Sequence, residues 1–354
     1  MEISFIIPVY NGERCIGECI GEIQKWDKKE EIEIIVIDDG SDDGTWDVLN
    51  RAAENDGRIK VIRITNSGQG VARNLGFHAA SGKYVYYADA DDRANTEAIY
   101  KLYMKAEEMQ ADVAMGGYYR IGNGKAVRVH MPENGFVRRT GKPEDVERYH
   151  RIKTESAFGY VWNKLYRKSF LSEHNLYMDD VKKLNMEDFL FNLKVWSKAP
   201  SFYCTDYPVY SYMTDHISTT RNADPEIHIK SAAMLTELFS YLEKERVMEE
   251  NLDIVIPLIA RMFCWSLIKN IPYEGREMEQ LRRRAIAFAG TLEIRSAAGT
   301  PGASKHLQRL PSLPQRIFYR FCLRALRRGK VGGVCMMFYL LYPVMRRYVD
   351  TVLK

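Results

Sequence analysis

Four times within residues 1–92 an apolar run stops at a polar or glycine-bearing turn, and helical spacing fills the intervals. Ile3 to Val9 is β-branched and apolar, and stops at YNGE. EIEIIVIDD (31–39) runs into GSDDGT, IKVIRI (59–64) into NSGQG, and the strand expected at 83–88 into Asp89-Ala90-Asp91-Asp92. Residues 13–26 set Ile16, Cys19, Ile20 and Ile23 on one helical face, and 45–54 also reads as a helix. Continuous apolar character is the mark of strands covered on both faces. Strands alternating with helices imply right-handed crossovers and a parallel sheet. Ligands of such sheets bind beyond the carboxyl ends of the strands, so these four turns are expected to converge on one pocket.

A chain of 354 residues, 46% hydrophobic and 28% charged, can bury a full core and suits one large domain with an appendage, or two domains. Past the fourth turn, 96–110 reads as helix, 111–121 as strand and 122–145 as a polar loop. FGYVWNKLYRKSFLSEHN and NMEDFLFNLKVWSKAP read as helical pieces, and SFYCTDYPVYSYM (201–213) as a strand pair. Beyond about residue 222 the pattern turns helical, with amphipathic stretches at 226–249 and 252–270 and a looser stretch at 296–314. The boundaries expected are therefore 1–222, divisible into 1–92 and 93–222, and 223–354, ending in a basic segment at 305–354. Six cysteines, with no CxxC spacing, fit reduced thiols rather than disulfides or zinc. The N-terminal MEISFIIPVYN lacks the charged start and long apolar core of a signal peptide, so export is not expected.

Chemistry concentrates in the turns. Asp89 and Asp91 are two residues apart, and strand alternation would point both carboxylates to one side, where they could share a divalent cation with phosphate oxygens. Taken alone, such a triplet reads equally as the cap of the next helix, and Asp92 as a local cap. Asp38 and Asp39 could accept from a base N–H or ribose hydroxyls, or simply build an Asp/Gly turn. No GxGxxG follows a strand, which excludes the dinucleotide fingerprint. Gly68 and Gly70 at a helix entry allow close backbone approach, and Arg73 one turn later would add positive charge against diphosphate or base, although taken alone it reads sooner as a surface arginine. Glu187-Asp188 alone reads as an acid pair favoured by a helix dipole.

Taken in order, SFIIPVYNGE, EIIVIDDGSDDGT and NSGQGVARNLGFHAASGKYVYYADADD resemble the nucleotide-sugar half of family 2 glycosyltransferases of bacterial, non-processive type. VWNKLYRKSFL (161–171) and MEDFLFNLKVW (186–196) resemble the acceptor half, and YPVYSYMTDHIST (207–219) the closing strand and loop, where Met213 and Asp215 replace arginines often seen there. The resemblance implies an α/β GT-A fold, with a mostly parallel Rossmann-like sheet flanked by helices and a helical C-terminal extension. Residues 1–92 would then bind nucleotide sugar and 93–222 face the acceptor. It implies that Pro8, Val9, Tyr10 and Asn11 line the nucleoside pocket, with Asp39 on the base and Arg73 on base or phosphate. Asp89 falls on the ribose contact, Ala90 between it and the metal ligand Asp91, and Asp188 on the catalytic base. The cofactor implied is Mn²⁺ or Mg²⁺. The reaction expected is inverting transfer from a UDP-sugar to a hydroxyl of a cell-envelope, lipid-linked or polysaccharide acceptor. His216 in the closing loop reads as a metal or diphosphate contact, or as an ordinary solvent-facing residue.

Three readings compete. A nucleotidyltransferase would need a Gly-rich, Lys-bearing first loop, which PVYNGERC is not. A non-catalytic sugar-nucleotide-binding or scaffold protein at the membrane surface would be expected to lack carboxylates at 91 or 188. A processive synthase would need several transmembrane helices and a QxxRW-type motif.

Charge is unevenly spread: residues 305–354 hold 11 Lys and Arg against the one acid Asp350, although the whole chain is only +4. Arg316, Arg320, Arg324, Arg327 and Arg328 fall on one helical stripe, expected opposite Phe318, Phe321, Cys322, Ala325 and Leu326. VGGVCMMFYLLYPVM (331–345) is apolar but shorter than the roughly 20 residues that span a bilayer. An interfacial anchor on anionic lipid is expected, giving a cytoplasmic protein peripheral on the inner face of the cell membrane. The bland reading is a helix packed on the catalytic domain. No aromatic–basic recognition module points to nucleic acid.

Overall fold

The computed structural model describes residues 1–28, 31–153, 155–180, 182–215, 223–271, 275, 277–310 and 312–352. The chain divides into two compact units, Met1–Lys182 with Met186–Thr219, and Lys183–Asn185 with Thr220–Lys354.

The first unit is a mixed sheet covered by helices. Its strands are β1 Ile3–Val9, β2 Ile32–Asp38, β3 Ile59–Arg63, β4 Tyr84–Tyr87, β5 Arg93–Ala94, β6 Val113–Gly122, β7 Lys125–Val129, β8 Gly135–Arg138, β9 Lys164–Arg167 and β10 Ser201–Met213. Its helices are α1 Ile16–Gln24, α2 Thr45–Asn55, α3 Gln69–Ala79, α4 Thr96–Met109, α5 Pro143–Ile152, α6 Glu155–Phe158, α7 Lys168–Glu173 and α8 Glu187–Lys198. The order across the sheet is β3-β2-β1-β4-β9-β6-β10-β5, with β7 beside β6 and β8 beside β10. Every residue of β1, β2 and β4 is buried, as two-sided cover requires. Register brings the β1, β2 and β3 ends level, Val9 pairing with Asp38 and Asp38 with Arg63, while β4 stops earlier, with Tyr87 opposite Ile6. The four turns therefore leave the sheet at one edge.

Three local expectations need correction. Lys164–Arg167 is a strand, not helix, antiparallel to both β4 and β6 through Tyr84↔Arg167 and Val113↔Tyr166. Two ladder partners outweigh its weak helical spacing, since strand preference depends on neighbours more than on sequence. The polar stretch 122–145 holds β7 and β8. The expected strand pair at 201–213 is the single strand β10, whose parallel register with β6 shifts around Pro208, a residue with no N–H to donate.

The second unit comprises α9 Ile227–Lys244, α10 Met248–Ile268, α11 Met278–Gly290, α12 Leu292–Ala298, a 3₁₀ turn at Ala303–Arg309, α13 Leu313–Arg328 and α14 Gly332–Val352. Part of the stretch expected to be loose is thus ordered. Helix α10 is long and apolar enough to cross a membrane, but 83% of its most apolar window is buried inside the protein. On α13 the buried side chains include Cys322, Ala325 and Leu326, whereas Phe321 is 42% exposed on the side of the arginines. Phe321 follows Ile317 by four residues and so shares its solvent-facing stripe.

Candidate active site

The first two turns lock together through backbone donors. Asn11 adopts left-handed backbone (φ 51°), donating its N–H to Ser41 Oγ (2.9 Å) while its Oδ1 accepts from Asp42 N–H (3.0 Å). Pro8 and Val9 are buried in β1, and Tyr10 is 51% exposed at the rim. Asp38 Oδ1 accepts from Ser41 N–H (2.9 Å), and Arg63 Nε lies 3.3 Å from its other oxygen. Asp39 reaches the third turn: its carboxylate accepts from Ser67 N–H (2.6 Å) and Gly68 N–H (2.8 Å). The DDGS stretch is therefore a structural clamp, whose Asp39 oxygens keep lone pairs for a further donor.

Arg73 stands at the centre. Gly68 (φ 93°) turns the chain into α3, and a Cβ on Gly70 would sit 2.3 Å from the Asp179 carbonyl oxygen. Asn74 fixes the same neighbour, donating to Met178 O (2.8 Å) and accepting from Met178 N–H (2.9 Å). That clip leaves Arg73 1% exposed, with Nη2 2.7 Å from Asp89 Oδ1 and Nη1 2.7 Å from Asp188 Oδ1. Glu187 Oε1 is 3.6 Å from Nη1 and also accepts from Gln69 Nε2. One buried guanidinium thus joins the third turn, the fourth turn and the start of α8.

Strand β4 ends at Tyr87, so Asp89 and Asp91 lie on a turn rather than on a strand, and strand alternation does not set their directions. Asp92 N–H closes this turn onto Asp89 O (3.2 Å), and Asp89 N–H donates to the Tyr210 hydroxyl (2.9 Å). Ala90 and Asp91 are half-buried. Asp92 is not the cap of α4; Asn95 is, accepting from Ala98 N–H (3.2 Å). Asp92 instead holds the end of β10 through Met213 N–H (2.7 Å). Burial, with Asp89 and Asp91 adding to it, pushes the Asp92 carboxyl up to about 8.

Asp188 enters from the first turn of α8, after left-handed Met186 (φ 58°). Burial raises its carboxyl to about 7; Glu187 and Asp89 push the same way, while Arg73 and Lys164 oppose. Lys164 is wholly buried, donates to Asn163 Oδ1 (2.6 Å) and Tyr160 O, and is lowered to about 7 by burial. Trp162 stacks on Tyr210 at 4.4 Å and on Tyr160 at 4.6 Å. Lys164 and Tyr210 were not among the residues singled out from sequence; their one signal was membership of the VWNKLYRKSFL and YPVYSYM stretches. His216 lies outside the described residues. Among the described residues no group of three or more His, Cys, Asp or Glu side chains is arranged to hold a metal ion.

A family model described as Glycosyl transferase family 2 matches residues 4–174. The uncharacterized glycosyltransferase EpsJ of Bacillus subtilis (strain 168) is 32% identical over 219 residues, 62% of this chain and 62% of its own. The poly(ribitol-phosphate) beta-glucosyltransferase of Bacillus spizizenii is 31% identical over 288 residues, 79% of this chain and 43% of its own. The chain thus spans less than two thirds of either relative. Among solved structures, S. aureus TarS 1-349 in complex with UDP-GlcNAc superposes with a TM-score of 0.65 at 23% identity, covering 93% of each chain. That likeness carries the fold: the α/β GT-A architecture with a helical C-terminal region.

Proposed function

Residues 4–174 belong to glycosyl transferase family 2, and from that premise we propose that the chain moves a sugar from a UDP-sugar to a hydroxyl of a cell-envelope polymer, with inversion at the anomeric carbon. The observation that carries this reading is the Arg73 bridge, which ties the donor-side Asp89 to Asp188 at 2.7 Å on either side. In this reading residues 1–222 carry the chemistry. Pro8, Val9, Tyr10 and Asn11 line the nucleoside pocket, Asp39 receives the base N–H, and Asp89 binds the ribose, with Ala90 beside it on the donor.

Asp188 takes the proton of the attacking hydroxyl as general base. A carboxyl raised to about 7 is matched to that task, because a base near working pH is largely ionised yet still basic enough to accept a proton. No side chain is assigned as covalent nucleophile, so a single displacement inverts the anomeric centre. Arg73 holds the base and Asp89 in register, and its charge opposes the build-up of negative charge around them.

Asp91 fits a Mg²⁺ or Mn²⁺ ion. It is a half-buried hard oxygen donor on the fourth turn, and such ions are commonly held by one or two carboxylates together with substrate phosphates rather than by a full protein cage. When bound, the ion would act as a Lewis acid toward the departing diphosphate. The donor is supported by the UDP-GlcNAc complex of TarS, and a polymer acceptor by the name of the Bacillus spizizenii relative.

A panel of nucleotide sugars with Mn²⁺ or Mg²⁺, scored for binding and for slow hydrolysis, tests the donor. Asp188→Asn is expected to abolish transfer and hydrolysis while donor affinity stays within about threefold of wild type. Near-wild-type turnover in that variant would overturn the assignment, as would the failure of every nucleotide sugar to bind.

A further inference from the structure

We propose that the exposed faces of α13 and α14 form one docking surface for an anionic lipid bilayer, with both helices lying flat on it. On α13, Leu313, Ile317 and Phe321 recur at four-residue steps and are 64%, 59% and 42% exposed. On α14 the outward residues include Gly333, Met336 and Leu340, the last two 51% and 61% exposed, and Tyr339 and Leu341 are exposed beside them. The two stripes meet, because the Phe321 ring lies 3.2 Å from where a Cβ on Gly333 would be. Beneath them Phe318 packs edge-on against Phe338 at 5.6 Å, so the helices are fixed to each other from below. Large apolar side chains gathered on one face mark an interaction surface rather than ordinary exposure.

Charge selects the occupant. Arg324, Arg327, Arg328 and Lys330 are exposed, and residues 305–354 hold 11 Lys and Arg against one acid. Arg324 and Arg328 follow Leu313 and Ile317 along the same α13 stripe, so cations and apolar tips face one way. An acidic polymer would need the arginines alone and would leave Ile317, Phe321, Met336 and Leu340 in water. A bilayer with anionic headgroups uses both, taking the apolar tips into the headgroup–acyl boundary and the guanidinium groups onto phosphate. The apolar part of α14, Gly332–Tyr342, is about 16 Å long at 1.5 Å per residue, roughly half of a hydrocarbon core, so it lies on the membrane rather than across it.

Co-sedimentation of the full chain with vesicles of phosphatidylcholine containing about one third phosphatidylglycerol, against pure phosphatidylcholine, tests this without reference to sugar transfer. Wild-type protein is expected to favour the anionic vesicles at least tenfold. Ile317→Glu with Phe321→Glu should cut that binding at least tenfold, and Met336→Lys should weaken it independently. Arg324→Gln with Arg328→Gln should erase the lipid preference. Each variant is checked for an unchanged circular dichroism spectrum and melting temperature. Absence of vesicle binding overturns the proposal. So does binding that survives Ile317→Glu with Phe321→Glu, which would make the surface a site for polyanions. A dimer seen by analytical ultracentrifugation and broken by those same changes would assign the face to a second copy of the chain, and also overturns it.

Discussion

An arginine at 1% exposure has lost its water, and countercharge must replace it. Arg73 has Asp89 and Asp188 in contact and Glu187 at 3.6 Å, and these acids in turn hold the guanidinium well above its ordinary range. Removing it would leave three neighbouring carboxylates, two of them largely out of water, with the buried Lys164, itself lowered to about 7, to oppose their charge at Asp188. Arg73→Met is expected to cost about 3–5 kcal/mol of stability at pH 8, as uncompensated buried charge generally does. The loss should shrink toward pH 5, because the carboxylates then take up protons and cease to repel; urea unfolding at both pH values checks this. Asp188 gives a second expectation. A base raised to about 7 is mostly protonated below that pH, so kcat/KM should fall about tenfold per unit beneath it and level off above. A profile flat from pH 5.5 to 8 would remove Asp188 from that role. Asp39, Asp89, Asp91 and Asp188 were legible as candidates because each stands inside a dense local motif. Lys164 and Tyr210 were not, because each is an ordinary residue of a distant strand, and only the pairing of β9 and β10 into the sheet brings them near.

Among the elements, β1, β2 and the turn before β4 are tied by one carboxylate. Glu33 Oε1 accepts from Ser4 Oγ (2.6 Å), Ser81 N–H (2.6 Å) and Ser81 Oγ (2.7 Å), and Oε2 from Lys60 Nζ (2.6 Å). Burial alone would raise Glu33, but Lys60, Ser4 and Ser81 together bring it down to about 2. A depressed folded pKa adds stability above the unfolded value near 4.5 and loses it as pH falls toward 2. Glu33→Gln should therefore destabilise by roughly 1.5–3 kcal/mol at pH 7, the scale of hydrogen bonds to a charged group, and by less near pH 3. Thermal melts across that range read it out. At α3 the constraint is steric. Gly70→Ala places a methyl 2.3 Å from Asp179 O, so the 178–179 backbone must move off Asn74 and Arg73. A loss of about 1–3 kcal/mol is expected, together with a lower kcat, measured by calorimetry and initial rates. The parallel half of the sheet was readable because its strands are continuous apolar runs between clear turns. Strand β9 was not, since four residues carry too little pattern and its identity comes from β4 and β6 on either side.

At the scale of the whole chain the two units are threaded through one another in sequence. Lys183–Asn185 belong to the helical unit, where Asn185 Nδ2 donates to Ser231 Oγ (3.0 Å), and the chain rejoins the sheet unit at Met186, two residues before Asp188. No periodicity announces this, because three residues between two helical segments look like any turn. Hydropathy misleads in the same unit: α10 has a mean hydropathy of 1.5 over its most apolar window, yet it is the buried helix around which α9, α11 and α13 pack. An all-round apolar helix is buried either in a membrane or in a protein, and here it is the protein. Loosening that core should therefore reach the base through the chain itself. Phe263 is fully buried and packs on Phe288 at 5.4 Å, so Phe263→Ala should cost about 3–5 kcal/mol within the helical unit. Once that unit melts, Asn185 loses its hold on Ser231 and the turn leading to Asp188 loses its anchor, while the turns that would receive the nucleotide belong to the sheet unit. The variant is expected to bind UDP with unchanged affinity at temperatures where transfer has already been lost, compared by titration calorimetry and rate measurements. Loss of UDP binding and of transfer at the same temperature would mean that the helical unit supports the whole first unit rather than the approach to its base.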